Sequence, residues 1–206
     1  MRNGVALVGY SGHGYVVGEA AIKQGYPLIY YTDKREVLNN PFDLTYLGDE
    51  ADARFIGWEN GIEFILGIGD NLIRKRVVGT ISTRGGRIRN VIHPNAYLSD
   101  YCEIGHGNFL ANGSIINTNV EVGNYSIINT ACIIEHDCVI GHFCHVAPGA
   151  ILAGSVKVGD MSFIGANSIV KEGVKIGEKV VVGAGAVVLR DISDGQTVVG
   201  NPARFI

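Results

Sequence analysis

The chain has 206 residues, 29 of them glycine, with 8% aromatic residues and a net charge of −3. This length is enough for one or two domains with a buried core, and the charge gives no basic surface for nucleic acid or for an anionic membrane. The N-terminal run VALVGYSG is unlike a secretion signal and no apolar run reaches the length of a membrane span, so we expect a cytoplasmic protein with reduced cysteines.

The first 85 residues alternate strand-like and helix-like segments. The runs VALVGY, PLIYYTD and FILGIG predict three short strands beginning at residues 5, 27 and 64. Helices are predicted over residues 12–25 and 70–81, and Asp70 or Asn71 is the expected N-cap of the second helix. This order predicts a small Rossmann-like βαβ domain with a parallel sheet over residues 1–85, and a polar linker over residues 84–90.

The turn GYSGHG, residues 9–14, follows the first strand and opens the first helix. Backbone N–H groups and the helix dipole at such a turn can hold a phosphate. The run is an incomplete GxGxxG fingerprint, so an ordinary strand-to-helix turn remains the alternative. Asp33 ends the second strand, where an acidic side chain can contact a ribose or a base edge.

From Ile92 onward the sequence repeats every six residues. Each sixth position from Ile92 to Val188 holds Ile, Leu or Val, and the position four residues later is mostly small. A strict period of six is typical of a hexapeptide β-helix, in which three hexads make one triangular coil. The aliphatic position and the fourth residue after it point inward. The sequence therefore predicts a parallel β-helix over residues 86–206 and leaves its handedness open.

All four cysteines occupy the inward position that follows the aliphatic residue by four. A metal cluster or a catalytic thiol would need these side chains to converge on the outside of the coil. We therefore expect small, apolar core cysteines at Cys102, Cys132, Cys138 and Cys144.

Polar side chains concentrate in the run IIEHDCVIGHFCH, residues 133–145. On the hexad frame Glu135, His136 and Asp137 face outward, and so do His142 and His145. A single β-helix wall is flat, and a pocket forms when prisms pack side by side, most simply in a closed ring of three. A histidine between two such walls, beside a carboxylate, can act as a general base. A solvated surface cluster is the alternative.

The run NTACIIEHDCVIGHFCHVAPGAILAGSVKVG, with GYSGHG before it and VVGNPAR after it, resembles nucleotide-sugar N-acetyltransferases of the hexapeptide-repeat family. The closest resemblance is to the UDP-4-amino-sugar acetyltransferases of the bacillosamine pathway; perosamine acetyltransferases and the acetyltransferases of sialic-acid clusters are similar. The resemblance covers essentially the whole chain. It implies a left-handed β-helix, a homotrimer, and direct acetyl transfer from acetyl-CoA to the amine of a sugar linked to UDP, with no metal.

In the β-helix the resemblance implies the following roles. His136 matches the general base that takes a proton from the sugar amine. Asp137 stands where the family usually has the longer Glu, which supports that histidine, and Glu135 is a second candidate for this support. Asn129 matches a position near the reacting amine. Gly154 matches a glycine whose backbone N–H can meet the thioester oxygen. Further acetyl-CoA contacts are implied at His145, Ala166 and Ala184.

In the N-terminal domain the resemblance implies that the first turn, the end of the second strand and the GIGDN turn hold the nucleotide part of the sugar substrate. A second hypothesis for His13 is that it reaches the β-helix site of a neighbouring chain. The matching substrate positions are Ser11, Gly12, His13, Asp33, Lys34 and Gly69.

Three alternatives use the same architecture. O-acetylation of sialic acid or of another sugar would need the same base. A zinc hydratase like the γ-type carbonic anhydrases would need His106, His136 and His142, which share the third position of their hexads. His106 and His142 lie two coils apart, about 9–10 Å along the axis, which is too far for one metal. The third alternative is a scaffold whose first domain senses a nucleotide.

Overall fold

The computed structural model of the chain describes residues 4–206, with the backbone alone at residues 59 and 60. These residues form two compact units, of which the first ends at Pro94 and the second is Asn95–Ile206. Neither of the two α-helices in the described range is long and apolar enough to cross a membrane.

The first unit is an α/β domain, as predicted. Its strands β1 to β5 form one parallel sheet in the order β3-β2-β1-β4-β5. The elements are β1 (Val5–Val8), α1 (Gly12–Lys23), β2 (Leu28–Thr32), β3 (Thr45–Tyr46), a 3-10 helix (Ile56–Asn60), β4 (Glu63–Leu66), α2 (Asn71–Thr83), β5 (Arg87–Ile88) and β6 (Val91–Ile92).

The centre of this sheet is β1, whose four apolar residues are all buried. From β1 the chain forms β2 and β3 on one side, and it then crosses to the other side of β1 to form β4 and β5, so the strand order reverses beside β1. Open parallel sheets bind ligands at such a point, outside the carboxyl ends of the strands. Both helices begin at this edge, and the side chain of Asp70 caps α2 by accepting the Ile73 N–H at 2.8 Å.

The first unit extends beyond residue 85, where the sequence places the domain boundary. The segment expected to be a linker contains β5, which pairs with β4 through Glu63 with Arg87 and Phe64 with Ile88. A single strand of two residues that is not part of a repeat has no periodicity, and neither β5 nor β3 is predicted for that reason.

The second unit is a parallel β-helix of very short strands. From β7 to β19, each strand pairs in register with the strand three further along the chain, as Ile115 pairs with Ile133. The strands are β7 (Tyr97–Leu98), β8 (Glu103–Ile104), β9 (Phe109–Leu110), β10 (Ile115–Ile116), β11 (Glu121–Val122), β12 (Ile127–Ile128), β13 (Ile133–Ile134), β14 (Val139–Ile140), β15 (His145–Val146), β16 (Ile151–Leu152), β17 (Lys157–Val158), β18 (Phe163–Ile164), β19 (Ile169–Val170), β20 (Lys175–Ile176), β21 (Val181–Val182), β22 (Val187–Val188), β23 (Thr197–Val199) and β24 (Arg204–Phe205).

These strands form the three faces of a prism. Face 1 has the order β22-β19-β16-β13-β10-β7, and face 2 has the order β20-β17-β14-β11-β8. Face 3 runs β23-β21-β18-β15-β12-β9 in this unit, and β24 pairs antiparallel with β23 at its end. We call the turns that lead from face 1 to face 2 the 1–2 corner, and name the 2–3 and 3–1 corners in the same way.

The interior of the prism follows the hexad pattern. Cys132, Cys138 and Cys144 are fully buried, as predicted, whereas Cys102 near the start of the prism is half-buried. The buried thiols donate to backbone carbonyls, as Cys138 does to Ala153 O at 3.2 Å. Burial raises the pKa of Cys132 to about 12 and that of Cys138 to about 11, so these thiols are protonated and unreactive.

Candidate functional site

The turn Glu135–Asp137 lies on the 1–2 corner and carries a histidine–carboxylate pair. His136 Nδ1 is 2.8 Å from Asp137 Oδ2, so the shorter Asp side chain does reach the ring. The other carboxylate oxygen of Asp137 accepts a hydrogen bond of 3.2 Å from Asn119 Nδ2, one coil earlier. The backbone of Asp137 is left-handed, with φ at 61°, and this turns its side chain back toward His136.

The electrostatics of this turn favour a basic imidazole. Asp137 raises the pKa of His136 above its usual range, first through the hydrogen bond, and the charge of Glu135 adds to the effect. The same hydrogen bond, with that from Asn119, lowers the pKa of Asp137. The ionised carboxylate holds a proton on Nδ1 and leaves Nε2 of His136 as the free base. Glu135 is hydrogen-bonded elsewhere: its carboxylate accepts from Asn117 Nδ2 at 3.0 Å, whereas the ring of His136 is held by Asp137.

The imidazole of His136 lies over the backbone of Gly154, which occupies the same corner position in the next coil. A Cβ added at residue 154 would stand 2.7 Å from Cε1 and 2.8 Å from Nε2 of His136. Only glycine leaves this space for the ring. The Gly154 N–H makes no hydrogen bond to any described residue, so it can donate to the oxygen of a bound molecule.

A second pair lies beside the 3–1 corner, with Asn129 in a turn of that corner and His145 in β15 on face 3. Asn129 Oδ1 accepts the Thr130 N–H at 2.8 Å, which orients its amide so that Nδ2 faces His145 Nε2 at 3.1 Å. Nε2 of His145 must then be an acceptor, and the ring is the neutral tautomer protonated on Nδ1. His145 is 8% exposed and its ring meets Phe163 edge-on, so it is buried although the hexad frame places it outward.

The two alanines expected to contact acetyl-CoA stack on the same corner. Ala166 O accepts the Gly185 N–H at 2.8 Å, and Ala184 is exposed. A Cβ at Gly165 would stand 2.5 Å from backbone atoms of the next coil, and this tight packing keeps the surface along the two alanines flat and narrow. We call this surface, formed by Ala166 and Ala184, the shelf. The structure therefore groups His136, Asp137, Glu135 and Gly154 at one edge of face 1, and groups Asn129, His145, Ala166 and Ala184 at the other.

The predicted nucleotide residues gather at the carboxyl edge of the N-terminal sheet. Gly9, Gly14 and Gly67 pack so closely that a Cβ at either of the last two would clash with Gly9 O. This packing brings the end of β1 against α1 and the end of β4. Ser11 and Gly12 stand exposed at the first turn of α1, and a Cβ at Gly12 would meet nothing within 4 Å.

Asp33 joins the ends of two strands at this edge. Its carboxylate accepts the Tyr10 N–H at 3.0 Å and the Lys34 N–H at 2.7 Å. Each oxygen keeps a further lone pair for a ligand hydroxyl. Lys34 is exposed beside it.

His13 is the second residue of α1, and its ring packs beside the turn at Gly69, where a Cβ on residue 69 would be 3.8 Å from it. Burial, with a smaller contribution from the charge of Arg74, lowers the pKa of His13 to about 4. This imidazole is therefore neutral at physiological pH and can only exchange hydrogen bonds with a ligand.

Sequence reasoning missed Arg74, which is 1% exposed within α2. Its guanidinium donates to the carbonyls of Ile68 and Gly69 at 3.0 Å each and to Asn71 Oδ1 at 2.7 Å. These hydrogen bonds hold the backbone of the GIGDN turn, residues 67–71, in place. The only signal in the sequence is an arginine four residues after the helix cap, which is usually a solvated position.

The histidines of the zinc alternative do not converge within one chain. His106 and His142 lie on the 2–3 corner, whereas His136 lies on the 1–2 corner. His142 Nδ1 accepts the Asn124 N–H at 2.8 Å and so already serves the turn of the neighbouring coil. Among the side chains that the structure describes, which exclude those of residues 59 and 60, no three of His, Cys, Asp or Glu are placed to hold a metal ion.

Three protein-family models match parts of the chain. Residues 4–81 match the PglD N-terminal domain, residues 87–170 match the GMPPB C-terminal domain, and residues 155–190 match the hexapeptide repeat of succinyl-transferase. With the observed strand order, these matches confirm the predicted α/β domain followed by a left-handed parallel β-helix.

Several solved structures are similar over the full chain. A His-to-Asn variant of perosamine N-acetyltransferase from Caulobacter crescentus, in complex with CoA and GDP-perosamine, is 33% identical with a TM-score of 0.91; the match covers 100% of this chain and 98% of that one. The acetyltransferase domain of PglB from Neisseria gonorrhoeae, in complex with acetyl coenzyme A, is 31% identical with a TM-score of 0.92 and complete coverage of both chains. WeeI from Acinetobacter baumannii is 26% identical with a TM-score of 0.87, again with complete coverage of both.

Proposed function

The chain belongs to the sugar-nucleotide N-acetyltransferases of the hexapeptide-repeat family, and we propose that it transfers the acetyl group of acetyl-CoA to the amine of a UDP-linked 4-amino-deoxysugar. The observation that carries this proposal is the His136–Asp137 pair over Gly154, which combines a base with a free backbone donor. Acetyl transfer to an amine needs both of these groups and needs no covalent enzyme intermediate.

The proposed reaction begins with the neutral sugar amine. Its nitrogen attacks the thioester carbonyl carbon while Nε2 of His136 takes a proton from that nitrogen. The carbonyl oxygen becomes an oxyanion, for which the Gly154 N–H is the proposed donor. The C–S bond then breaks, the amide remains on the sugar, and the CoA thiolate takes the proton back from the imidazolium.

Other residues receive supporting roles in this proposal. Asp137 holds the tautomer of His136, Glu135 adds negative charge beside it, and Asn129 positions the amine. His145, in its neutral form, and the flat shelf of Ala166 and Ala184 receive acetyl-CoA.

We assign the nucleotide to the carboxyl edge of the N-terminal sheet. Exposed backbone at the start of a helix suits the diphosphate, and the Asp33 carboxylate suits a ribose or base edge. The neutral His13 suits a hydrogen bond rather than a charge contact. The positions in this assignment are Ser11, Gly12, His13, Asp33, Lys34 and Gly69.

A homotrimer is part of the proposal. Every outward residue of face 1 is apolar, which is unusual for a wall left in water. In a ring of three prisms, packing through this face would bring the 1–2 corner of one chain beside the 3–1 corner of the next, so that His136 and the acetyl-CoA shelf meet across the interface. The outward residues are Tyr97, Ile115, Ile133, Ile151, Ile169 and Val187.

Release of the CoA thiol tests the proposal. The acceptor panel contains UDP- and GDP-linked 4-amino sugars, a free 4-amino sugar and a sialic acid. We expect rapid release with the UDP-linked amine alone. Release with the GDP-linked amine alone would identify GDP, and not UDP, as the nucleotide of the substrate. Release with sialic acid would favour O-acetylation. A panel with no release above the rate of thioester hydrolysis would contradict the proposal.

A further inference from the structure

A groove of about 560 Å³ lies at the amino edge of the N-terminal sheet. It begins at Gly4 and Val5, at the opposite end of β1 from the GYSGHG turn. The start of β4, the end of α2 and the 3-10 helix form its other walls. Its size is within the range of small-molecule sites.

Among the side chains that the structure describes along this groove, three are arginines and one, Glu63, is acidic, so this described lining is net positive. Of its three arginines, Arg89 pairs with Glu63 at 2.8 Å and lies over the ring of Tyr26. Arg84 and Arg87 are exposed, and neither takes part in an ion pair or side-chain hydrogen bond with any described residue. Two guanidinium groups beside one groove suit a phosphate, because their planar donor pairs match its oxygens.

The same groove offers a flat apolar surface. Trp58 is half-buried and held by Phe55 and Phe64, with ring centroids 4.9 and 5.4 Å from its own. Such a fixed ring is ready to stack on a flat ligand without loss of side-chain freedom.

The end of α2 does not cancel this preference for an anion. The negative end of a helix repels anions through its unpaired carbonyls. Here the carbonyls of Ile81 and Ser82 accept N–H groups from residues 84–86. Arg84 also stands at the helix end itself.

From this combination of two arginines with no ion-pair partner among the described side chains, a held tryptophan and a groove of ligand size, we propose that the amino edge is a second binding site for a phosphorylated small molecule with a flat ring, of the nucleotide class. The site is separate from the carboxyl edge, where we place the sugar nucleotide. A bare phosphate would use the arginines but would leave Trp58 without a partner.

Trp58 also makes the site directly measurable, because it is the single tryptophan of the chain. The experiment is a titration of the full-length protein with UMP, and separately with inorganic pyrophosphate, followed by tryptophan fluorescence at constant ionic strength. We expect a saturable change with both and tighter binding of UMP. Arg84→Gln/Arg87→Gln should weaken UMP binding by about tenfold or more, since each loses a charge-assisted hydrogen bond. Arg76→Gln, which removes an exposed arginine of α2 outside the groove, should bind as the wild type does.

Two further measurements distinguish a loss of the binding site from a misfolded or inactive protein. Arg84→Lys/Arg87→Lys retains the charge without the planar donors, and it should bind UMP with intermediate affinity. Acetyl transfer in the absence of UMP should be unchanged in both double variants. The proposal is overturned if the wild type gives no saturable signal, if the signal survives in the glutamine variant, or if pyrophosphate binds as tightly as UMP.

Discussion

At the scale of single residues, the contact between His136 and Asp137 sets the basicity of the proposed base. The base works only when its ring is neutral, at pH values above its pKa. Because the carboxylate raises that pKa, Asp137→Asn should lower it and shift the acid limb of the kcat/KM profile to lower pH. The plateau should also fall by roughly tenfold, since the tautomer is held less firmly. An unmoved acid limb in the measured pH–rate profile would contradict this coupling.

Gly154 is expected to act through the space that it leaves for His136. Its φ is not in the left-handed region, so alanine fits the backbone, but the added Cβ displaces the exposed imidazole ring. We expect Gly154→Ala to lower kcat by roughly 10², the effect of misplacing a reacting group by about 1 Å. Steady-state kinetics with thermal unfolding separate this effect from a loss of folding.

Gly79→Ala is the matched control for Gly154→Ala, because a Cβ there meets nothing within 4 Å and the residue lies inside α2. It should leave kcat unchanged and stabilise the helix by about 1 kcal/mol. Equal kcat values for Gly154→Ala and the wild type would contradict the expectation that a Cβ at residue 154 displaces the ring of His136.

At the scale of elements, Arg74 links α2 to the turn that precedes it. Arg74→Met keeps much of the volume of the side chain but leaves the carbonyls of Ile68 and Gly69 without donors. We expect the KM for the sugar nucleotide to rise by about tenfold, which is 1.4 kcal/mol of binding. The KM for acetyl-CoA should stay constant, because its proposed site is on the β-helix. Equal rises of both KM values would contradict a role of Arg74 that is confined to the nucleotide turn.

The elements that the sequence predicts are those with a long pattern. The aliphatic residues at every sixth position predict the interior of the β-helix, and the outward position of His136 follows from that frame. The three longer strands and both α-helices of the first unit are likewise predicted from apolar runs and glycine turns. The two-residue strands β3 and β5 have no such pattern.

The contacts at the candidate site are also of two kinds, those that a local sequence pattern predicts and those that it does not. The proximity of His136 to Asp137 is local, so the sequence can suggest it. The contact of Asn129 with His145 and the burial of that ring depend on the packing of successive coils, which no local pattern contains. Arg74 has the exposed-looking position of an ordinary helix arginine, and its burial is a result of the turn folding over it.

At the scale of the whole molecule, the apolar wall of face 1 is the proposed contact of the trimer. Ile151 lies near its middle, between Ile133 and Ile169. We expect Ile151→Arg to release a monomer of about 22.0 kDa in light scattering and to abolish acetyl transfer, because the proposed site needs two chains. Glu121→Lys, an exposed change on face 2, is the control and should keep the mass and the activity of the wild type. An active monomeric Ile151→Arg would refute the shared site.

The most direct test of the proposed acetyl transfer follows the acetyl carbon itself. Carbonyl-labelled [13C]acetyl-CoA and a UDP-linked 4-amino sugar are mixed with the wild type or with His136→Ala, and the label is observed by NMR. We expect an amide carbonyl on the sugar nitrogen, formed about 10² to 10⁴ times more slowly by the variant. An ester as the product, or an amide formed equally fast by His136→Ala, would contradict it.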